Sequence, residues 1–260
     1  MKRFAILILF GLLHQTIALA CVCVNTPLIE RTADADFIAT AKIITVNPSE
    51  DESRRHDIQI EILDLFKGTQ TNSLQIYSAL GSSCSFYTPE KTSWLIFAKK
   101  DANGKLAFGF CSGSKQLNKK LDRKLFPNAE NNYKKAIKRK LQLLDYLANE
   151  NINPINEFNL RTSFSTNCLK NFKGLKVNGK PFALYELTIE KDFTVSDVVV
   201  IKGFNNSTLT QDLQDYISSS LKVSKKRKNI EINKKTKLMI ALFHYKSNKN
   251  YQSFISEYDW

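Results

Sequence analysis

The chain is poor in the side chains on which most catalytic and metal chemistry depends. Its 260 residues hold three histidines, and His14 falls in a segment expected to be removed, which leaves His56 and His244. There is no His-Glu-x-x-His, no Gly-x-Ser-x-Gly and no glycine-rich phosphate cradle. A nucleophilic pair would have to be Cys168 with His244, and no motif speaks for it. His56 follows Arg54-Arg55 in a polar stretch and reads as a surface residue. The expectation is a non-enzymatic chain that needs no cofactor. Five cysteines are too few for a disulfide-dense toxin and too scattered for a zinc finger. Beyond the first twenty residues no apolar window approaches the roughly 20 residues that cross a bilayer.

What is present is ordinary globular material. The sequence is 43% apolar and 24% charged, enough to bury a core, and its length suits one large domain or two of average size. Lys and Arg outnumber Asp and Glu, 38 to 25, for a net charge of +13. That excess admits an anionic partner or simply a lysine-rich surface.

Residues 1–20 read as a secretory signal peptide: Lys2 and Arg3, an apolar run from Phe4 to Leu13, then Ala18-Leu19-Ala20 directly before Cys21. Losing Lys2 and Arg3 lowers the net charge by two, to +11. The product would be exported to the periplasm, cell envelope or exterior, with no transmembrane segment. A lipid anchor on Cys21 is the alternative, and it fits less well because lipoprotein signals usually carry Leu where Ala18 stands. The exported chain would begin Cys21-Val22-Cys23-Val24. With Cys84 and Cys111 these make four cysteines in about 90 residues, the count for two disulfides in an oxidising compartment. Cys21 and Cys23 are too close to pair comfortably, so each reaches across to Cys84 or Cys111. Both bonds would pin a terminus that is normally frayed. Cys168 is left over, either a buried thiol or the donor of an intermolecular bond.

Between those cysteines lie about five short strands. Asp36 to Val46 is the first. In the second, Ile58, Ile60 and Ile62 alternate with polar residues, then the pattern slips so that Leu63 and Leu65 continue it, as a bulge would cause. Ser73–Ala79, Ser93–Ala98 and Lys105–Cys111 follow, separated by turn residues. This spacing predicts a small closed barrel. Leu117 to Asn149 has helical periodicity through Tyr133, Ile137, Leu141, Leu144 and Leu147. Lys134, Lys135, Lys138, Arg139 and Lys140 form a basic face, read as solvated or as a phosphate- or lipid-facing surface. Asn151–Asn159 is polar and linker-like. Beyond it come Pro181–Glu190, the turn Lys191-Asp192-Phe193-Thr194, Val195–Lys202, a helix Leu209–Leu221 capped by Thr208 or Thr210, and Lys237–Tyr245. The basic tract Lys222–Lys237 reads as a loop. The fold class expected is mixed: a five-stranded OB-type barrel with a helix, then an α+β (β-β-α-β) unit. The corresponding domains are 21–149 and 161–260, joined by 150–160.

Cys-x-Cys at the exported terminus, Phe66-Lys67-Gly68, Cys84 followed by aromatics, the Trp94 strand and Phe110-Cys111-Ser112-Gly113-Ser114 resemble the netrin-like domain of tissue inhibitors of metalloproteinases, over about Cys21–Leu147. The resemblance implies the pairs Cys21–Cys84 and Cys23–Cys111. It also implies that the Cys21 α-amine and carbonyl chelate a target enzyme's catalytic zinc while Val22 enters its specificity pocket. The animal inhibitors carry a third disulfide here and a further six-cysteine domain; this chain has neither. Residues Leu187–Asp192 and Val195-Ser196-Asp197-Val198-Val199-Val200 are similar to the carboxy-terminal domain of TonB-type proteins, which implies an edge strand able to accept a partner's strand. The function expected is protein binding at the envelope, with inhibition of a zinc metallopeptidase as its concrete form. A structural scaffold whose two modules only hold partner proteins is the alternative, and nucleic acid is not an expected partner.

Overall fold

The computed structural model describes residues 21–48, 54–78, 82–122, 124–164, 168–226 and 231–259. The signal-peptide reading, Arg227-Lys228 and the side chain of Cys168 lie outside the described residues.

Helix α1 (Leu28–Asp34) comes first, with Leu28, Ile29 and Thr32 buried. Strands β1 (Phe37–Pro48), β2 (Arg55–Lys67), β3 (Ser73–Tyr77), β4 (Ser93–Lys100) and β5 (Leu106–Gly109) close in the order β1-β2-β3-β5-β4 and back to β1. β3 and β5 run parallel and the other barrel pairs antiparallel. A two-residue strand β6 (Lys115–Gln116) pairs antiparallel with Trp94 and Leu95 of β4. This is an OB-like barrel. Every second residue of β1, Phe37, Ala39, Ala41 and Ile43, points into an interior shared with Ile58, Ile76, Trp94, Ile96 and Phe108.

The slip in β2 is a bulge. Thr40 pairs with Asp64 and Ala41 with Ile62, so Leu63 is skipped. Leu63 and Leu65 do not continue the inward row; they are exposed, because the extra residue turns the strand outward. His56 also departs from expectation. β2 starts at Arg55, so His56 shares the inward register of Ile58 and Ile60 and is buried.

Helix α2 spans Ala129–Asn149, twelve residues shorter at its start than the periodicity predicts. Lys115–Gln116 is committed to β6, and Pro127 lacks an N–H and biases its predecessor away from helix. Among the described residues, β7 (Leu160–Ser163), a 3-10 helix (Cys168–Phe172), β8 (Phe182–Ile189), β9 (Val195–Lys202), α3 (Ser207–Ser220), β10 (Lys222–Lys225), β11 (Thr236–Tyr245) and β12 (Phe254–Ser256) complete the chain. They form an antiparallel sheet in the order β12-β11-β8-β9 and a β10-β7 pair. The expected β-β-α-β is β8, β9, α3 and β11. Lys222–Lys225 is strand rather than loop, since Lys222 to Lys225 pair with Ser163 to Leu160. The cap of α3 is Asn206, whose side chain accepts from the Leu209 N–H, so neither threonine is needed there.

The four-stranded sheet is covered on both faces. Ala183, Tyr185 and Leu187 of β8, with Leu238, Ile240 and Leu242 of β11, pack on Leu209, Leu213 and Ile217 of α3. The opposite rows, Phe182 and Leu184, Ala241, Phe243 and Tyr245, join α1, Leu143, Leu144 and Leu147 of α2, and Ile38, Leu95 and Phe97 of the barrel. One apolar cluster therefore spans both sides of residues 150–160, and Ile152 from that segment packs against it.

Candidate partner-binding edge at Cys21

Residues 21–27 have no regular structure and are held by cross-links. Cys21 is bonded to Cys84 and Cys23 to Cys111, with Cα–Cα separations of 5.2 and 5.3 Å, the two pairs that the resemblance implies. The Cys21 nitrogen donates to Ser83 Oγ at 3.1 Å. With Cys21 and Cys23 tied inward, the alternating residues face out: Val22 is 83% and Val24 63% exposed. Arg31 of α1 fixes the far end, donating from Nη2 to the Thr26 carbonyl at 3.0 Å. Gly113 makes room for that arginine. Its φ is +83°, and a Cβ there would fall 2.2 Å from Arg31 Nε, so any side chain would be strained by conformation and by contact alike.

The edge stands between two cavities. One, of about 520 Å³, is lined by Cys21, Tyr77, Phe97, Phe108 and Phe110. The other, of about 670 Å³, holds Val22 and Val24 on one side and Arg31, Lys115, Lys140 and Asp259 on the other. Lys140, expected on the solvated basic face, is buried and ion-paired with Asp259, whose carbonyl also accepts from its Nζ at 2.8 Å. Burial pushes the Lys140 ammonium down, with Asp259 opposing that shift. Burial lowers Arg31 as well, Asp259 again opposing, and Lys115 is lowered by burial and then by repulsion from Arg31 and Lys119. Sequence periodicity marks Lys140 as one more lysine of the helix. Only its phase, three residues after Ile137 and before Leu143-Leu144, hints that it faces inward.

Residues 257–259 approach α1 from the second half of the chain, anchored by Tyr245 Oη donating to the Tyr258 carbonyl at 2.8 Å. The Glu257 carboxyl is pushed up from 4.5 to about 7, first by burial, opposed by its hydrogen bond to Tyr258, and raised further by Glu30. Between pH 4.5 and 7 the native state then binds more protons here than the unfolded chain, so stability falls as pH rises through that window. Glu257→Gln is expected to match the parent at about pH 4, below both values, and to exceed it at pH 8 by up to about 3 kcal/mol, residual solvent contact trimming that figure. Thermal unfolding of both proteins at the two pH values checks it; a variant less stable at pH 8 would contradict the shift.

Among the described residues no three His, Cys, Asp or Glu side chains gather as metal ligands. His244 Nε2 lies 2.9 Å from the Leu175 carbonyl. No described helix is long and apolar enough to cross a membrane, and two disulfides are what an oxidising, exported setting sustains. Fold and site thus define a class: an OB-like barrel with a disulfide-stapled edge at residues 21–27 that exposes two valines, continued by an α+β region. The chain matches no protein-family model and no curated protein.

Proposed function

We propose that this is an exported, non-catalytic protein-binding protein of the cell envelope that inhibits a zinc metallopeptidase through Cys21. In this reading the barrel is akin to the metalloproteinase-inhibitor domain and the later region to the TonB carboxy-terminal domain. The observation that carries it is the double tether: two disulfides hold residues 21 and 23 while Val22 between them stays 83% exposed. An α-amine titrates near 7.7–8.0, so a neutral fraction exists at pH 7 and binding to zinc drives off the remaining proton. Amine and carbonyl of one residue close a five-membered chelate and displace the zinc-bound water that hydrolysis requires. Ser83, 3.1 Å from the Cys21 nitrogen, orients the amine, and Val22 offers a small apolar side chain to a greasy pocket. The rival reading, a scaffold that only holds partners, is favoured by β9, which lies at the sheet edge with Val199 exposed.

Intact mass of the purified protein should show a chain starting at Cys21 with two disulfides and no acyl group. An alanine inserted before Cys21 blocks the chelate and should weaken inhibition of a susceptible zinc metallopeptidase at least about 100-fold, a loss of roughly 3 kcal/mol. Equal inhibition by both forms, or by neither, removes this reading and leaves the scaffold.

A further inference from the structure

The segment that leads into α2 presents an unusual pair of side chains. Leu125 is 71% and Phe126 63% exposed, side by side on a turn built by the backbone. Asp122 Oδ1 accepts from the Lys124 N–H at 2.8 Å, the Asp122 carbonyl from Phe126 at 2.9 Å, and the Phe126 carbonyl from Ala129 at 3.1 Å. The two side chains line neither cavity at the Cys21 edge. They stand out from a turn instead of roofing a groove, so a partner need not be shaped to receive them.

Charge is concentrated around them. Residues 115–140 hold ten Lys and Arg against Asp122 and Glu130, so this stretch supplies most of the net charge of the chain. α2 sorts those cations by face. Lys140 turns inward to Asp259 and Arg139 lies over the Tyr245 ring. Lys134, Lys135 and Lys138 are exposed, as are Lys119, Lys120 and Lys124 before the helix. Lys138 is only about 14 Å along the helix from its start beside Phe126.

We propose that Leu125 and Phe126, together with these six exposed lysines that flank them along the chain, dock the protein on a bilayer surface rich in anionic lipid. Protruding apolar side chains combined with a polybasic surround are the two signals that together give stable peripheral attachment. The apolar pair enters the acyl boundary while the lysine stems lie along it, with their ammonium groups among the headgroups. A water-soluble polyanion offers the charge without the apolar layer and leaves the Leu-Phe pair without a role. The inner face of α2, through Ile137 and Lys140, lines the cavity beside Val22. Docking by the outer face therefore leaves the Cys21 edge open, and the inference does not depend on what that edge binds.

The test is co-sedimentation of the purified protein, shown by mass to be unacylated, with phosphatidylcholine vesicles with and without about 30% phosphatidylglycerol. At about 0.1 M salt binding to the anionic vesicles should exceed that to neutral ones at least about tenfold. The double variant Leu125→Ser, Phe126→Ser, whose side chains are already exposed, should unfold at the parental temperature yet lose about tenfold in binding. Lys134→Gln with Lys135→Gln and Lys138→Gln should lose as much and weaken the salt sensitivity, Lys119, Lys120 and Lys124 supplying what remains. Equal binding to both vesicles, no binding to either, or a Leu125/Phe126 variant that binds like the parent would overturn the proposal. So would equally tight binding of soluble polyphosphate that is indifferent to that variant.

Discussion

Reduction of the two disulfides is expected to lower the unfolding free energy by several kcal/mol and to release residues 21–27 from the barrel. The bonds close loops of 63 and 88 residues, for which chain entropy alone suggests about 4 kcal/mol each. The loops overlap, so once Cys21–Cys84 has formed, Cys23–Cys111 closes a shorter effective loop and adds less than it would alone. Against the roughly 5–15 kcal/mol that holds a typical domain together, even one bond matters. The Cys23→Ser, Cys111→Ser variant keeps one staple and should lose about 2–5 kcal/mol, read as a lower denaturant midpoint with a somewhat steeper slope, because the unfolded chain without that bond exposes more surface. Residues 21–27 should then exchange their amide hydrogens far faster, having no strand or helix to hold them. A midpoint that does not move on reduction would show that the barrel core alone holds the fold and that the staples serve only the edge.

Phe243→Ala should cost about 3–5 kcal/mol, the usual figure for emptying a fully buried phenylalanine site, and should destabilise both halves of the chain at once. Phe243 has no exposed surface and sits opposite Phe182 in the β11–β8 register, in the cluster that includes Leu28 of α1, Phe97 of the barrel and Leu144 of α2. Helix α1 is the wedge between the two sides. Its Glu30 is buried, ion-paired with Lys226 at 3.2 Å beside β10, and accepts from the Thr162 N–H of β7 at 3.4 Å. If the cluster makes one cooperative unit, Trp94 fluorescence in a Trp260→Phe background and far-ultraviolet circular dichroism should move together to a lower midpoint. Trp94 is buried inside the barrel, so a barrel transition untouched by Phe243→Ala would show that residues 21–149 and 161–260 unfold as separate domains.

Much of this is legible in the sequence. The barrel strands follow from period-two alternation interrupted by turn residues, and the slip at Leu63 marks a real bulge. Strand β11 even announces burial on both faces, because Leu238, Ile240 and Leu242 alternate with Met239, Ala241 and Phe243, leaving no polar row for water. Read that way, the doubly apolar strand already calls for a second layer against the sheet. Other features leave weaker marks. α1 is only seven residues long, too short for periodicity to stand out and stable only through what it packs on. β6, β7, β10 and β12 are two to four residues each, set by pairing partners and not by their own pattern.

By itself the order of residues determined the cysteine set, the strand and helix types, and the apolar faces that had to be covered, since each is a local property of periodicity and side-chain chemistry. Which faces met was decided only in three dimensions. Lys140 became an inward cation because Asp259, 119 positions away, arrives beside it. His56 became interior because β2 starts earlier than its apolar run. The cavity beside Val22 exists because α2, Arg31 and residues 258–259 converge there. Such contacts join segments far apart along the chain, and their energy depends on distance and burial in space, which no local periodicity carries.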